Sequence, residues 1–207
     1  MNISTLFLSG YDMKDVITLP GFDKEFAANF KFRQEHAKAA DKTMRKLISK
    51  LKHPNPLWTG IHVRRRDYQT YEKTLGLNVL KPSYYLHAMD MVREFYPTKD
   101  VIFVVVTDDV TWCKHHVKKH AKDVFIVSKE DSEQYAGIGH DLAIMSKCNQ
   151  TIISRGSFSY LSSILTKGRP IILPCQFSQY RTQQNDRDIC ERHPLQNPLK
   201  NIYTIQY

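Results

Sequence analysis

Gly60-Ile61-His62-Val63-Arg64-Arg65-Arg66-Asp67-Tyr68 is an apolar run that ends abruptly in three arginines and an aspartate. Its β-branched side chains follow a proline-rich loop, a pattern that predicts a buried strand with the arginines at its carboxyl end. Ligands bind at that edge of an open parallel sheet. Arginine stays charged and donates in a planar fork, so adjacent arginines favour a diphosphate ligand. Taken alone, the stretch is equally compatible with an exposed basic turn, because most charge runs are solvated.

Helical and strand patterns alternate from residue 33 to residue 174. An amphipathic helix is predicted from Arg33 to Leu51, and the uninterrupted β-branched run from Val101 to Val106 predicts a strand buried on both faces. The remaining patterns predict helices over 82–96, 112–122, 141–148 and 158–166, and strands over 124–127, 151–154, 169–173 and 201–205. This alternation predicts an α/β fold, a Rossmann-like doubly wound parallel sheet.

The composition is that of an ordinary globular chain with an excess of positive charge. Its 207 residues are 42% hydrophobic, which is enough for one domain with a sizeable core. The formal net charge of +9 attracts polyanions, and it does not choose between nucleic acid, anionic lipid and an anionic small substrate. Aromatic residues are not interleaved with the basic runs, which disfavours a nucleic-acid-binding domain.

Short motifs in the chain exclude some site types and leave others open. The first ten residues are apolar but lack a basic flank and are far shorter than the ~18 residues of a membrane span, so they predict no signal or anchor. Asn149-Gln150-Thr151 and Asn2-Ile3-Ser4 match the glycosylation sequon, which matters only in the secretory pathway. The four cysteines form no CxxC pair, which excludes a zinc ribbon or thioredoxin motif and leaves disulfide pairing open: Cys113, Cys148, Cys175 and Cys190.

A second anion-binding feature is predicted where Arg155-Gly156-Ser157 leads into a helix. The amino end of that helix exposes backbone amides, serine hydroxyls and the positive end of the dipole. The chain has no GxGxxG or P-loop, so a phosphate site must use this helix start and the arginines. The polar segment 130–140 is expected to be a loop at the same edge. Asp108 and Asp109 are compatible with a metal motif, although helix capping explains them more simply.

Five ordered motifs resemble the inverting α1,2-fucosyltransferases of glycosyltransferase family 11, which use GDP-fucose. They cover roughly residues 57–174 and comprise the Gly60–Tyr68 stretch, Pro82–Ala88, Phe103–Cys113, Asp141–Ile152 and Gly156–Ser159. The resemblance implies transfer of L-fucose from GDP-fucose to the 2-OH of a terminal galactose, with inversion and without a metal or other cofactor.

The resemblance also implies roles for individual residues. Arg64 and Arg65 would hold the diphosphate and stabilise the departing GDP, and Asp141 would accept a hydrogen bond from the guanine edge. His62 would touch the nucleotide, although without the resemblance it is equally compatible with a hydrogen-bonded buried histidine of the strand core. Asp67 offers a base for the acceptor hydroxyl, although a carboxylate so close to Arg65 more often orients an arginine.

The helix start completes the donor site that the resemblance implies. Ser157 and Ser159 would bind phosphate and Phe158 would join them, although Phe158 alone is typical of a core residue. Arg66 stands where the family pattern usually has glycine, so we expect it to crowd the site or to need a backbone that suits glycine.

The resemblance places residues 33–207 as a Rossmann-like GDP-fucose-binding domain, the C-terminal half of a GT-B-like fold. Residues 1–32 would be a remnant of an acceptor-side N-terminal region. The implied partners are GDP-fucose and a galactose-terminated glycan, with no nucleic acid, and with membrane contact only through an anchor absent from this chain. Family members are single-pass type II proteins of the Golgi, which implies the Golgi lumen. Because only about fifty residues precede the strand, an inactive or truncated nucleotide-sugar-binding or glycan-binding protein is the alternative.

Overall fold

The computed structural model describes residues 22–51, 55–74, 76–128, 137–166, 171–174 and 202–205. The chain separates into two compact units, Met1–Lys31 and Phe32–Tyr207. The described part of the first unit is helix α1, Phe22–Asn29, in which the Phe26 ring lies 5.5 Å from that of Phe30. The roles predicted for residues 1–32 and 33–207 stay predictions.

Helices and strands alternate through the second unit, as the sequence predicts. Among the described residues, no helix is both long and apolar enough to span a membrane. In chain order the elements are α2 Gln34–Ile48, β1 Leu57–Val63, α3 Arg66–Thr74, α4 Pro82–Phe95, β2 Val101–Thr107, α5 Val110–His116, a 3₁₀ turn Lys118–His120, β3 Val124–Ile126, α6 Ile138–Met145, β4 Gln150–Ile152, α7 Ser157–Leu165, β5 Ile171–Pro174 and β6 Ile202–Ile205.

The described strands form one six-stranded sheet in the order β3-β2-β1-β4-β5-β6. Every pair of neighbouring strands is parallel. The chain runs outward from β1 through β2 to β3, then returns to place β4 on the other side of β1. This confirms the predicted doubly wound α/β sheet. In such sheets the crevice for a ligand opens at the carboxyl ends of the strands where the order reverses, here between β1 and β4.

Apolar layers cover both faces of the sheet. Strand β2 is buried along its whole length, and its alternate residues enter different layers, as expected from the two-residue period of a strand. Phe103 and Val105 join the layer that contains α4, whereas Val104 and Val106 join the layer that contains α2 and α6. The prediction that this strand is buried on both faces is confirmed.

The structure contains one helix that was not predicted and one helix that begins earlier than predicted. Helix α3 was not predicted, because its sequence is polar and only Glu72 of its residues is buried. Helix α6 begins at Ile138, so the last residues of the expected 130–140 loop are helical, while 129–136 lie outside the described residues. A Cβ at Gly139 would lie 2.5 Å from the His36 ring, so glycine here allows α2 and α6 to pack closely.

Candidate functional site

Arg64 and Arg65 follow the end of β1 and are held by one carboxylate from the neighbouring strand. Val63 pairs with Thr107 in the sheet, so the residues that follow the two strands lie side by side. Asp108 Oδ2 accepts a hydrogen bond from Arg64 Nη1 at 2.7 Å, and its Oδ1 accepts one from the Arg65 amide at 2.8 Å. Asp108 therefore fixes the Arg64 side chain and the Arg65 backbone together.

Further contacts set the planes of the two guanidinium groups. Arg64 Nη2 lies 2.7 Å from Asp67 Oδ1, and the Asp67 side chain is 63% exposed. This contact supports the orienting role for Asp67 rather than the role of a base. The Arg65 guanidinium carbon lies 3.8 Å from the centre of the Trp112 ring, and its side chain is 14% exposed. Stacking on an aromatic face leaves the edge of a guanidinium free to donate hydrogen bonds.

The two aspartates after β2 have separate structural roles. Asp109 Oδ1 accepts a hydrogen bond from the Trp112 amide at 3.0 Å, so the predicted capping is confirmed. Burial raises the pKa of Asp108, and the Arg65 amide and the Arg64 charge oppose that rise. Within the described ranges, no three or more His, Cys, Asp or Glu side chains are grouped so that they could hold a metal ion. The absence of a metal or other cofactor stays a prediction.

His62 lies in β1 beneath the arginines, and it is buried and neutral. Its Nδ1 lies 2.5 Å from Ser159 Oγ and 3.1 Å from Ser154 Oγ, and its ring centre is 4.5 Å from that of Phe158. Burial, followed by the Arg64 charge, lowers the pKa of His62 to about 3. Its Nε2 makes no hydrogen bond to any described residue.

Helix α7 faces the arginines across the switch point of the sheet. Gly156 caps it with φ 97°, a left-handed conformation that glycine tolerates best. Ser157 is exposed, and the amides of residues 157–159 have no hydrogen-bond partner among the described residues. Free amides at the positive end of a helix dipole bind anions. The helix start is therefore present where the sequence predicts it, and its binding of an anion stays a prediction.

The other two residues predicted at the helix start face inward. Ser159 is fully buried, and its hydroxyl bonds His62 and donates to the Arg155 carbonyl oxygen at 3.2 Å. The structure thus favours a positioning role for Ser159 over the predicted direct contact with phosphate. Phe158 is half-buried and packs against the core as well as against His62, which agrees with its interpretation as a core residue.

Asp141 lies in the first turn of α6, where two residues orient its carboxylate. Ser128 Oγ donates to Asp141 Oδ2 at 2.6 Å and accepts a hydrogen bond from the Thr107 amide at 2.8 Å. His140 Nδ1 lies 3.1 Å from Asp141 Oδ1. Ser128 connects Asp141 to the carboxyl end of β2, the strand whose end also holds the arginines. Sequence reasoning missed Ser128, although a serine just after a strand at the ligand edge was a usable signal.

Arg66 is the first residue of α3 and its side chain is exposed. A helical backbone suits any L-residue. The expectation that Arg66 needs a glycine-like backbone is therefore wrong, and its crowding of the site stays a prediction. Asn149 is also exposed, and its Oδ1 accepts a hydrogen bond from the Trp58 amide at 2.9 Å. Its glycosylation stays a prediction.

Sequence reasoning also missed three residues that join the two walls of the crevice. Tyr68 lies against the α7 turn, since a Cβ at Gly156 would lie 3.4 Å from its hydroxyl oxygen. Arg155 and Glu72 form a buried ion pair at the same place. An arginine directly after the apolar run Thr151–Ile153 was the available signal, because a buried guanidinium requires a carboxylate partner.

Comparison with known proteins gives one family match over most of the chain. The profile of Glycosyl transferase family 11 matches residues 6–191. Galactoside 2-alpha-L-fucosyltransferase SEC1 of Bos taurus is 31% identical over 117 residues, 56% of this chain and 30% of the relative. Galactoside alpha-(1,2)-fucosyltransferase 1 of Rattus norvegicus is 32% identical over 117 residues, with the same coverage of 56% and 30%. The chain thus spans less than a third of the length of these curated relatives.

Two solved structures are similar to part of this chain at low sequence identity. The fucosyltransferase NodZ from Bradyrhizobium is 19% identical with a TM-score of 0.46, over 69% of this chain and 45% of that chain. POFUT1 in complex with GDP is 13% identical with a TM-score of 0.48, over 74% of this chain and 50% of that chain.

Proposed function

The chain belongs to glycosyl transferase family 11, and we propose that it binds GDP-fucose and transfers L-fucose to the 2-OH of a terminal galactose. The observation that carries this proposal is the pair of adjacent arginines at the end of β1, where Asp108 fixes the Arg64 guanidinium and the Arg65 backbone amide. They lie at the switch point of the sheet, opposite the free amides of α7. The similarity to galactoside fucosyltransferases of cattle and rat supports the proposal further.

Arg64 and Arg65 bind the diphosphate in this proposal, and the α7 amides with Ser157 contribute from the other side. When the bond between fucose C1 and the phosphate oxygen breaks, the electron pair leaves with GDP and the diphosphate gains charge. Fixed cations stabilise that state more than the bound donor, so they accelerate the reaction. A hydrogen bond to a charged group contributes about 1.5–3 kcal/mol.

The acceptor hydroxyl attacks fucose C1 from the face opposite GDP, so the reaction inverts the anomeric configuration. The hydroxyl proton passes to a base as the new bond forms. Asp67 is ion-paired with Arg64, which supports its assignment as the residue that orients this arginine.

The nucleotide end of the donor is assigned to Asp141 and His62. Ser128 and His140 fix the Asp141 carboxylate. This supports its predicted role as the acceptor of hydrogen bonds from the guanine edge, because a carboxylate complements the N–H donors of that edge. The neutral His62 ring offers Nε2 to the nucleotide. From the resemblance to the family, we also propose that the protein acts in the Golgi lumen and that the reaction needs no metal.

A transfer assay tests this function. The chain is incubated with GDP-fucose and a β-galactoside, the product is detected by mass spectrometry, and its linkage is read by NMR. We expect a 2-linked fucoside that Arg65→Ala abolishes. Arg93→Ala is the control, since Arg93 pairs with Asp123 just before β3, at the opposite edge of the sheet. GDP-fucose binding without product would identify the inactive nucleotide-sugar-binding alternative. The absence of both binding and product contradicts the proposal.

A further inference from the structure

Arg155 and Glu72 form an ion pair that is almost completely removed from water. The side chains are 1% and 2% exposed, and Arg155 Nη1 donates to Glu72 Oε1. The same nitrogen donates to the Asn78 carbonyl oxygen at 2.9 Å. Burial raises the pKa of Glu72, and the Arg155 hydrogen bond and charge oppose that rise. Such a pair contributes little net stability, because the cost of removing both charges from water offsets the attraction between them.

The pair connects the two walls of the crevice. Arg155 immediately precedes Gly156 and the amino end of α7, which supplies the amides. Glu72 lies on α3, the helix that begins directly after Arg64 and Arg65. Tyr68 lies one turn before Glu72 on the same face of α3 and next to Gly156, since a Cβ there would lie 3.4 Å from the Tyr68 hydroxyl oxygen. Through its guanidinium, Arg155 thus binds α3 and the loop at Asn78 to the turn that begins α7.

The arginine wall depends on α3 for its own geometry. Arg64 pairs with Asp67, and Arg65 Nη2 lies 3.4 Å from Gln69 Oε1, and both partners belong to α3. A shift of α3 relative to the α7 turn would change the separation between the guanidinium groups and the helix amides. A diphosphate contacts both groups at once only if that separation is maintained.

We propose that Arg155 and Glu72 are positioning residues that set the width of the crevice for a nucleoside diphosphate. This inference rests on the proposed function, and it assigns the pair a role in donor affinity in addition to stability. Neither side chain reaches solvent, so neither touches the donor. Their effect on binding passes through the arginines and the α7 amides.

The test compares stability with GDP affinity in a variant that removes both charges. Replacing both partners of a buried ion pair by apolar residues is often neutral for stability, whereas removing one partner leaves an uncompensated charge. Arg155→Met combined with Glu72→Met is therefore expected to melt near the wild-type temperature and to bind GDP at least tenfold more weakly in calorimetry. Wild-type GDP affinity in this folded double variant would overturn the proposal.

Two further variants keep the test decisive if the double variant does not fold. Glu72→Gln keeps an acceptor for Arg155, whereas Glu72→Ala removes both the charge and the acceptor. If the pair has a positioning role, Glu72→Gln should retain most of the GDP affinity that Glu72→Ala loses. Equal losses in both variants would show that charge rather than position matters, and would refute the inference.

The matched control removes another arginine–aspartate ion pair, between α4 and the turn before β3. Arg93→Met combined with Asp123→Asn breaks the 2.9 Å pair near the start of β3, at the edge opposite the crevice. We expect its GDP affinity to equal that of the wild type. If wild-type chain binds no GDP, the proposed function fails. If wild-type chain binds GDP and the variants of the Arg155–Glu72 pair bind it equally well, only the present inference fails.

Discussion

Replacing Asp108 by asparagine is expected to weaken GDP binding with little change in stability. Asp108 accepts one hydrogen bond through each oxygen, from Arg64 Nη1 at 2.7 Å and from the Arg65 amide at 2.8 Å. Asparagine has the same shape, but its side-chain nitrogen is a donor and must face either Arg64 Nη1 or the Arg65 amide, which are donors too. One of the two bonds is therefore lost in Asp108→Asn, and the arginine that it held becomes mobile.

The magnitude follows from the exposure of the pair. A hydrogen bond to a charged group contributes about 1.5–3 kcal/mol, and we take the lower end because the Arg64 side chain is 30% exposed. A loss of about 1.4 kcal/mol is a tenfold change in an equilibrium constant, so the Kd for GDP should rise about tenfold. Burial raises the pKa of Asp108, so its charged form is costly in the folded protein. Asp108→Asn removes the cost of burying that charge, and this gain offsets the lost hydrogen bond in the free energy of unfolding.

Calorimetric titration with GDP and urea unfolding measure the two quantities separately. Asp90→Asn is the matched control, because Asp90 pairs with Arg93 at the same 2.7 Å on the surface of α4. The control should change neither quantity appreciably. The reasoning is refuted if Asp108→Asn binds GDP as tightly as the wild type, or if the control weakens binding as much.

Three other predictions concern glycine conformation, histidine burial and thiol reactivity. Gly156→Ala forces a Cβ onto a backbone at φ 97°, so it should destabilise the fold by about 1–2 kcal/mol and weaken GDP binding in calorimetric titration. The control is Gly76→Ala, at φ 67° with open space around it, which should leave GDP binding unchanged in the same titration. Because burial lowers the pKa of His62 from 6.5 to about 3, the unfolded chain binds a proton in that window and the folded chain does not. The free energy of unfolding should therefore fall as the pH drops from about 6.5 toward about 3, and urea titrations should show a shallower fall for His62→Asn. Burial raises the pKa of the Cys113 and Cys148 thiols to about 12, so mass spectrometry after iodoacetamide treatment at pH 8 should find both unmodified in the native chain, and rapid modification of either would contradict their burial.

The sequence predicted those parts of the fold that depend on local patterns. The β-branched run at Val101–Val106 could only be a buried strand, and three arginines after an apolar run marked the carboxyl end of β1. The cap at Asp109 followed from the ordinary preference for aspartate at that position. Each of these features is written in adjacent residues, so no knowledge of the tertiary structure was needed.

The features that the sequence did not predict depend on distant contacts. Helix α3 has almost no apolar face, and it is held by Tyr68 and by the hydrogen bond that Arg155, 83 residues away along the chain, donates to Glu72. The inward orientation of Ser159 depends on its bond to His62, 97 residues away. A helix start with serines at alternate positions does not reveal which hydroxyl faces the ligand until the partner strand is known.

Calorimetric titration of GDP into the wild-type chain and into Arg64→Ala/Arg65→Ala tests the central claim most directly, because it measures the donor site without the acceptor. The wild type should bind one GDP per chain. With about 1.5–3 kcal/mol lost at each arginine, the double variant should bind at least about 100-fold more weakly while remaining folded. A wild type that binds no GDP, or a folded double variant with wild-type affinity, would contradict the assignment of this sheet edge as a diphosphate site.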